Sequence, residues 1–105
     1  MFETGAPTLK PESQEQLTNI AEILKAYPAV KVKIGGYTDN VGDPATNLTL
    51  SQERATNVMN DLVKKGVAAD RLTAEGYGDQ HPIADNATPE GRAMNRRIAL
   101  RVTAK

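Results

Sequence analysis

The chain has no cysteine and no tryptophan, and it carries one histidine and one phenylalanine. Without cysteine there are no disulfides, no thiol catalysis and no cysteine-ligated metal, while the redox compartment stays open. A lone histidine, His81, excludes a histidine metal cluster, and a Ser-His-Asp arrangement would have to be built on the Gln80-His81-Pro82 loop. No apolar run approaches the roughly 20 residues that span a bilayer, and the N-terminus lacks the basic head and apolar core of a signal peptide. Charge of one sign is also lacking. Thirteen Lys plus Arg balance thirteen Asp plus Glu over 105 residues, so a nonspecific nucleic-acid partner is not expected and only local charge can matter. Repeats and low-complexity stretches are absent, and no cofactor or metal is expected.

What is present reads as one compact domain spanning residues 1–105. Met1-Phe2-Glu3-Thr4-Gly5 reads as the tail of a strand entering a glycine turn, as in a domain taken from a longer protein, with Met1 either native or added. Ser13 with Gln16 fits a capping box, and Leu17, Ile20, Ala21 and Leu24 fall at helical spacing until Pro28 stops the pattern. Residues 29–36 switch to period two, with Val30, Val32 and Ile34 facing one way and Lys31 and Lys33 the other. Gly42-Asp43-Pro44 is loop chemistry. A second helix follows, N-capped by Asn47, Thr49 or Ser51, with Ala55, Val58, Met59, Leu62 and Val63 as its apolar stripe and Gly66 as a left-handed cap.

Residues 72–76 form a third strand, and Thr88-Pro89-Glu90 opens a short helix with threonine at N-cap and proline at N1. In the last strand Ile98, Leu100 and Val102 oppose Arg97, Ala99 and Arg101, which puts Arg96 in register with the apolar set and in need of a partner. The expected fold class is an α/β two-layer sandwich. Its element order is β-α-β-α-β-α-β, with a small mixed four-stranded sheet and helices packed on one face.

The residues able to carry chemistry lie mainly between Gly36 and Ala55. Asp39 and Arg54 put a carboxylate and a guanidinium at the two ends of a turn-rich loop, with Arg54 expected in the first turn of the second helix, beside the buried stripe. A carboxylate accepts from an ammonium and a guanidinium grips a carboxylate in two parallel bonds, so the pair matches a zwitterion. The same spacing also fits a plain salt bridge, with Asn47 only capping the helix and Arg54 pairing with Asp39 or near Glu53. Asp39 with Asp43 is an alternative acid/base pair, although aspartates beside Asn and Gly are more often turn residues. Gly35-Gly36 and Gly76-Tyr77-Gly78 lack the helix and lysine that a phosphate loop needs.

Taken together, Phe2-x-Thr4-Gly5, Tyr27-Pro28, Gly36-Tyr37-Thr38-Asp39-Asn40-x-Gly42, Asn47-x-x-Leu50-Ser51-x-x-Arg54-Ala55, Gly76-Tyr77-Gly78 and Gly91-Arg92-Ala93-x-Asn95-Arg96-Arg97 form a chain-long ordered set. It resembles the OmpA-like peptidoglycan-binding domain family. The resemblance implies a noncatalytic domain, not an enzyme, that binds the diaminopimelate residue of the peptidoglycan stem peptide. Asp39 would take the ammonium and Arg54 the carboxylate, with Asn47, the backbone at Val41, and Arg96 completing the ligand-binding set. It also implies a periplasmic location in an outer-membrane-associated, membrane-anchored envelope protein, although these residues contain no membrane segment. Many members carry histidine where this chain has Tyr37, and some carry asparagine where it has Gly5. A protein-interaction or oligomerisation module that keeps the fold without binding peptidoglycan is the alternative.

Overall fold

The computed structural model describes Phe2 and residues 5–105. Three helices and three strands follow one another as α1 (Ser13–Ala26), β1 (Lys31–Tyr37), α2 (Pro44–Lys64), β2 (Leu72–Gly78), α3 (Pro89–Asn95) and β3 (Arg97–Ala104), with a short 3-10 turn at Ala69–Arg71. The sheet order is β2-β1-β3, and β1 runs parallel to β2 and antiparallel to β3. Helix α2 is the long connection that a parallel pair requires. The result is the expected two-layer sandwich with a mixed sheet.

The sheet has three strands among the described residues, not four. Of the anticipated first strand, Phe2 makes a single antiparallel bridge to Leu9, and Met1, Glu3 and Thr4 lie outside the described residues. Between the bridged residues the chain reverses at Gly5, where φ is +66°, and passes Pro7, which has no N–H to give a ladder. The described order is therefore α-β-α-β-α-β.

Leu17, Ala21 and Leu24 of α1, Val32 and Ile34 of β1, and Ala55, Val58 and Leu62 of α2 form the buried core with Val67 and Leu72. Ile20 and Met59 pack against it partly buried, whereas Val63, expected in the stripe, is 38% exposed because it stands about 100° round the helix from Leu62. Helix α2 lies on β2 and β1 with α1 packed against it, and β3 stands at the margin, so Leu100 and Val102 are 39% and 50% exposed although they share the covered side of the sheet.

Two helix starts differ from expectation. The capping box at α1 does not form: Glu12 is the N-cap, and the Ser13 hydroxyl donates to the Lys10 carbonyl (2.6 Å). Backbone turns from Lys10 and Pro11 already occupy the N–H groups of Ser13 and Gln14. At α2 the N-cap is Asp43, which accepts from the Ala45 N–H (3.2 Å) and the Thr46 hydroxyl (3.3 Å), with Pro44 at N1. Proline suits that place because its missing N–H would be unpaired there anyway. Asn47, Thr49 and Ser51 thus lie inside the helix. Its other end is as expected: Gly66 has φ of +102°, its N–H reaches Val63 and that of Val67 reaches Leu62, the paired bonds of a Schellman cap.

Candidate functional site

A glycine seam sets α2 directly on the sheet. A Cβ at Gly36 would come to 2.2 Å from the Ser51 carbonyl oxygen, and one at Gly76 to 2.3 Å from the Gln52 nitrogen. Any side chain at either position would force the helix away. Ser51 then accepts from the Gly78 N–H (2.9 Å), and the Gln52 amide donates to the Ala74 carbonyl (3.1 Å) and accepts from the Gly76 N–H (2.9 Å). The Gln52 amide takes the place of a further strand at the β2 edge. This clamp fixes the height and rotation of α2, and so the position of Arg54 relative to the end of β1.

Asp39 stands two residues beyond the end of β1 and is 7% exposed. The Thr38 N–H donates to the Gly78 carbonyl (2.8 Å), holding the strand exit against β2. One Asp39 carboxylate oxygen accepts from the Val41 N–H (3.0 Å), and the other accepts from Nη1 of Arg96 at 2.6 Å. Each oxygen has two lone pairs, so the carboxylate keeps accepting capacity. Asn47 donates to the Val41 carbonyl (2.9 Å) and more weakly to that of Asp39 (3.4 Å), tying the loop to the second turn of α2. Val41 itself exposes its side chain, while its backbone N–H and C=O are both engaged within the loop.

Arg54 is 8% exposed. Its Nε donates to the Ala6 carbonyl (3.0 Å), and its guanidinium lies 5.1 Å from the centre of the Phe2 ring. Burial lowers its pKa first, the neighbouring charge of Arg96 lowers it further, and Asp39 opposes both. The guanidinium stays charged at neutral pH. Arg54 does not stand in the first turn, as expected, but ten residues beyond Pro44, because the helix starts at Pro44 rather than at Asn47 or later. The positive helix end fades within one turn and does not reach it. Cationic character at the site comes from two guanidinium groups instead.

Arg96 also differs from expectation. It is the C-cap of α3 rather than a core-facing strand residue, with its side chain 47% exposed, and the partner it required is Asp39. Its place is set by Asn95, a residue with no predicted role and fully buried. The Asn95 amide accepts from the N–H groups of Ile83 (2.7 Å) and Ala84 (3.0 Å) and donates to the carbonyl of Ala84 (3.0 Å) and to Asn86 (2.7 Å). An asparagine standing directly before the paired arginines was the only sequence signal for this. Asp43 is occupied as a helix cap, away from any acid/base pairing with Asp39, and His81 packs edge-on against Tyr37 and Tyr77.

The structure thus joins Asp39, Val41, Asn47 and Arg96 by hydrogen bonds and places Arg54 within electrostatic reach. A cleft of about 430 Å³, lined by Gly5 and Pro7 and by Thr46, Thr49, Leu50 and Glu53 of α2, includes none of these five residues in its lining.

This is a small sandwich with an anion–dication site at the junction of β1, α2 and α3. The sequence pattern of the OmpA family matches residues 1–96, and the chain belongs to that family. It is 46% identical over 104 residues to outer membrane porin F of Pseudomonas fluorescens, covering 99% of this chain and 32% of that protein. It is 46% identical over 99 residues to the peptidoglycan-binding protein ArfA of Mycobacterium tuberculosis, covering 94% of this chain and 30% of that one. Among solved structures, the peptidoglycan-associated lipoprotein of Burkholderia pseudomallei superposes with a TM-score of 0.87 at 30% identity, over 98% of this chain and 86% of that one. The chain spans about a third of the length of the two curated relatives described here.

Proposed function

We propose that the domain binds bacterial peptidoglycan without catalysis and anchors an outer-membrane-associated envelope protein to the cell wall in the periplasm. Family membership supports this reading, as do the names of two relatives, a peptidoglycan-binding protein and a peptidoglycan-associated lipoprotein. The ligand we infer is the free zwitterionic end of a diaminopimelate side chain. Asp39 receives its ammonium, Arg54 and Arg96 face its carboxylate, and Asn47 with the Val41 backbone holds the loop that shapes the site. The carrying observation is the nearly buried Asp39 carboxylate that holds Arg96 at 2.6 Å while acting electrostatically on Arg54. A zwitterion matches this arrangement because its carboxylate can accept from guanidinium groups and its ammonium can donate to the lone pairs that Asp39 keeps.

Calorimetric titration of a diaminopimelate-containing muropeptide tests the reading. Charge-assisted hydrogen bonds contribute about 1.5–3 kcal/mol each, so Asp39→Asn and Arg54→Lys should each weaken binding about ten- to a hundredfold. A lysine-containing muropeptide, which lacks the second carboxylate, should bind poorly. Unchanged affinity in both variants would refute the assignment.

A further inference from the structure

The sheet face turned away from the helices carries a charge excess that the net-neutral chain conceals. Val32, Ile34, Leu72 and Ile98 face the core, so the alternate positions Lys31, Lys33, Arg97 and Arg101 share the open side, with Glu75 as the acid among them. Glu75 is committed to Lys33 at 2.6 Å. Lys33 and Arg101 stand directly opposite each other in the β1–β3 register, an arrangement of like charges that costs stability. Between the cations Gly35 stands opposite Ala99.

Tyr37 and Tyr77 lie stacked on this face, 5.2 Å apart, over Gly35. The guanidinium of Arg97 sits 3.9 Å over the Tyr37 ring and the Lys33 ammonium 5.5 Å over Tyr77. Both outer ring faces are therefore filled by the protein's own cations, which leaves no free aromatic platform for a sugar or base. Recognition here is electrostatic. The face also adjoins the site already described: Arg96 reaches Asp39 while the next residue, Arg97, turns onto Tyr37.

We propose that this open face, centred on Lys31, Lys33 and Arg101, is a second contact for the carboxylates of the same cell-wall polymer. The proposal rests on the peptidoglycan reading. One zwitterionic end fills the Asp39–Arg54–Arg96 site, and carboxylates of neighbouring stem peptides meet the basic sheet. Charge complementarity and continuity with the first site support this occupant, and the lack of aliphatic side chains larger than Ala99 among the described residues of the face disfavours insertion into a lipid surface. Binding to an intact wall is then tighter and more salt-dependent than binding to one muropeptide.

The test compares the wild type with the double variant Lys31→Gln/Arg101→Gln, two exposed changes that also relieve the like-charge pair and so leave folding intact, as circular dichroism checks. Sedimentation with isolated sacculi at low and moderate salt should show binding about three- to tenfold weaker and a shallower salt dependence in the variant. Monomeric muropeptide should bind both proteins equally. Equal sacculus binding at low salt overturns the proposal, and so does a parallel loss of monomer binding, which would mean that the residues act through the first site. Binding to phosphatidylglycerol vesicles that the variant loses while keeping its sacculus affinity would assign the face to lipid and also overturn it. Failure of the first site reads out separately, as a wild type that does not bind the monomer.

Discussion

Arg96 and Asp39 stand 57 positions apart in the sequence, yet Nη1 of the arginine lies 2.6 Å from Oδ2 of the aspartate. The bond joins the end of α3 to the exit of β1. The same carboxylate also acts electrostatically on a second arginine, Arg54 of α2. A site built this way is sensitive to each of the elements that deliver its charges.

Asp39→Asn keeps the shape of the carboxylate and removes its charge. Arg54 is 8% exposed and would lose the electrostatic support of Asp39. The expected cost is about 1–3 kcal/mol in stability, measured as a lower urea midpoint with unchanged slope, alongside the loss of muropeptide binding.

Gly36→Ala attacks the clamp rather than the charges. The new Cβ would meet the backbone of Ser51, which cannot swing aside as a side chain could. We expect a loss of about 1–3 kcal/mol and a weaker ligand affinity, because α2 carries Arg54 with it as it shifts. Gly5→Ala is the control for space: nothing lies within 4 Å there, so only its positive φ is strained. Equal effects of the two substitutions on affinity would contradict the clamp.

Asn95→Ala removes the tether of residues 83–86 and leaves the N–H groups of Ile83 and Ala84 without their acceptor. The loss should reach about 2–4 kcal/mol, within the range for breaking a buried polar network. Hydrogen exchange at Ile83 and Ala84 should accelerate ahead of exchange in β1. Arg96 loses its fixed origin, so ligand affinity falls as well.

The Lys33–Glu75 pair predicts a pH effect with a defined sign. Hydrogen bonds from Lys33 and then Tyr77, with the Lys33 charge, lower the Glu75 pKa below the ordinary carboxylate value of 4.5. Folding therefore gains from this group above that value, and the gain disappears as pH falls through the lowered folded pKa. The Lys33 pKa is raised by its hydrogen bonds to Glu75 and then Tyr77, so its contribution is complete below 10.5 and is lost only in strong alkali. The stability difference between wild type and Glu75→Gln, followed by urea denaturation from pH 7 to pH 3, should be small and should shrink as the pH falls.

Most of the secondary structure was legible because its cues are local. The spacing of Leu17, Ala21 and Leu24 names a buried helix face, Val32 and Ile34 alternate with lysines, Thr88-Pro89 opens a helix, and Gly66 closes one. Errors came where two local signals competed. Asp43-Pro44 reads equally as a turn and as a helix start, and taking it as a turn displaced Arg54 by a helix turn or more. Arg96 fits the period of β3, but its place was decided by Asn95, whose bonds run to a loop about eleven residues earlier.

By itself the sequence determined the balance of charges, the class of fold, the helix and strand faces, and the identity of the acid and the two arginines, since residue type and short-range period carry those directly. Tertiary structure alone decided that Asp39 holds Arg96, that the helix dipole plays no part at Arg54, and that four cations gather on one side of the sheet. Those outcomes depend on strand register and on how close two glycines let a helix approach. Both arise from contacts between residues far apart in the chain, where no local pattern can record them.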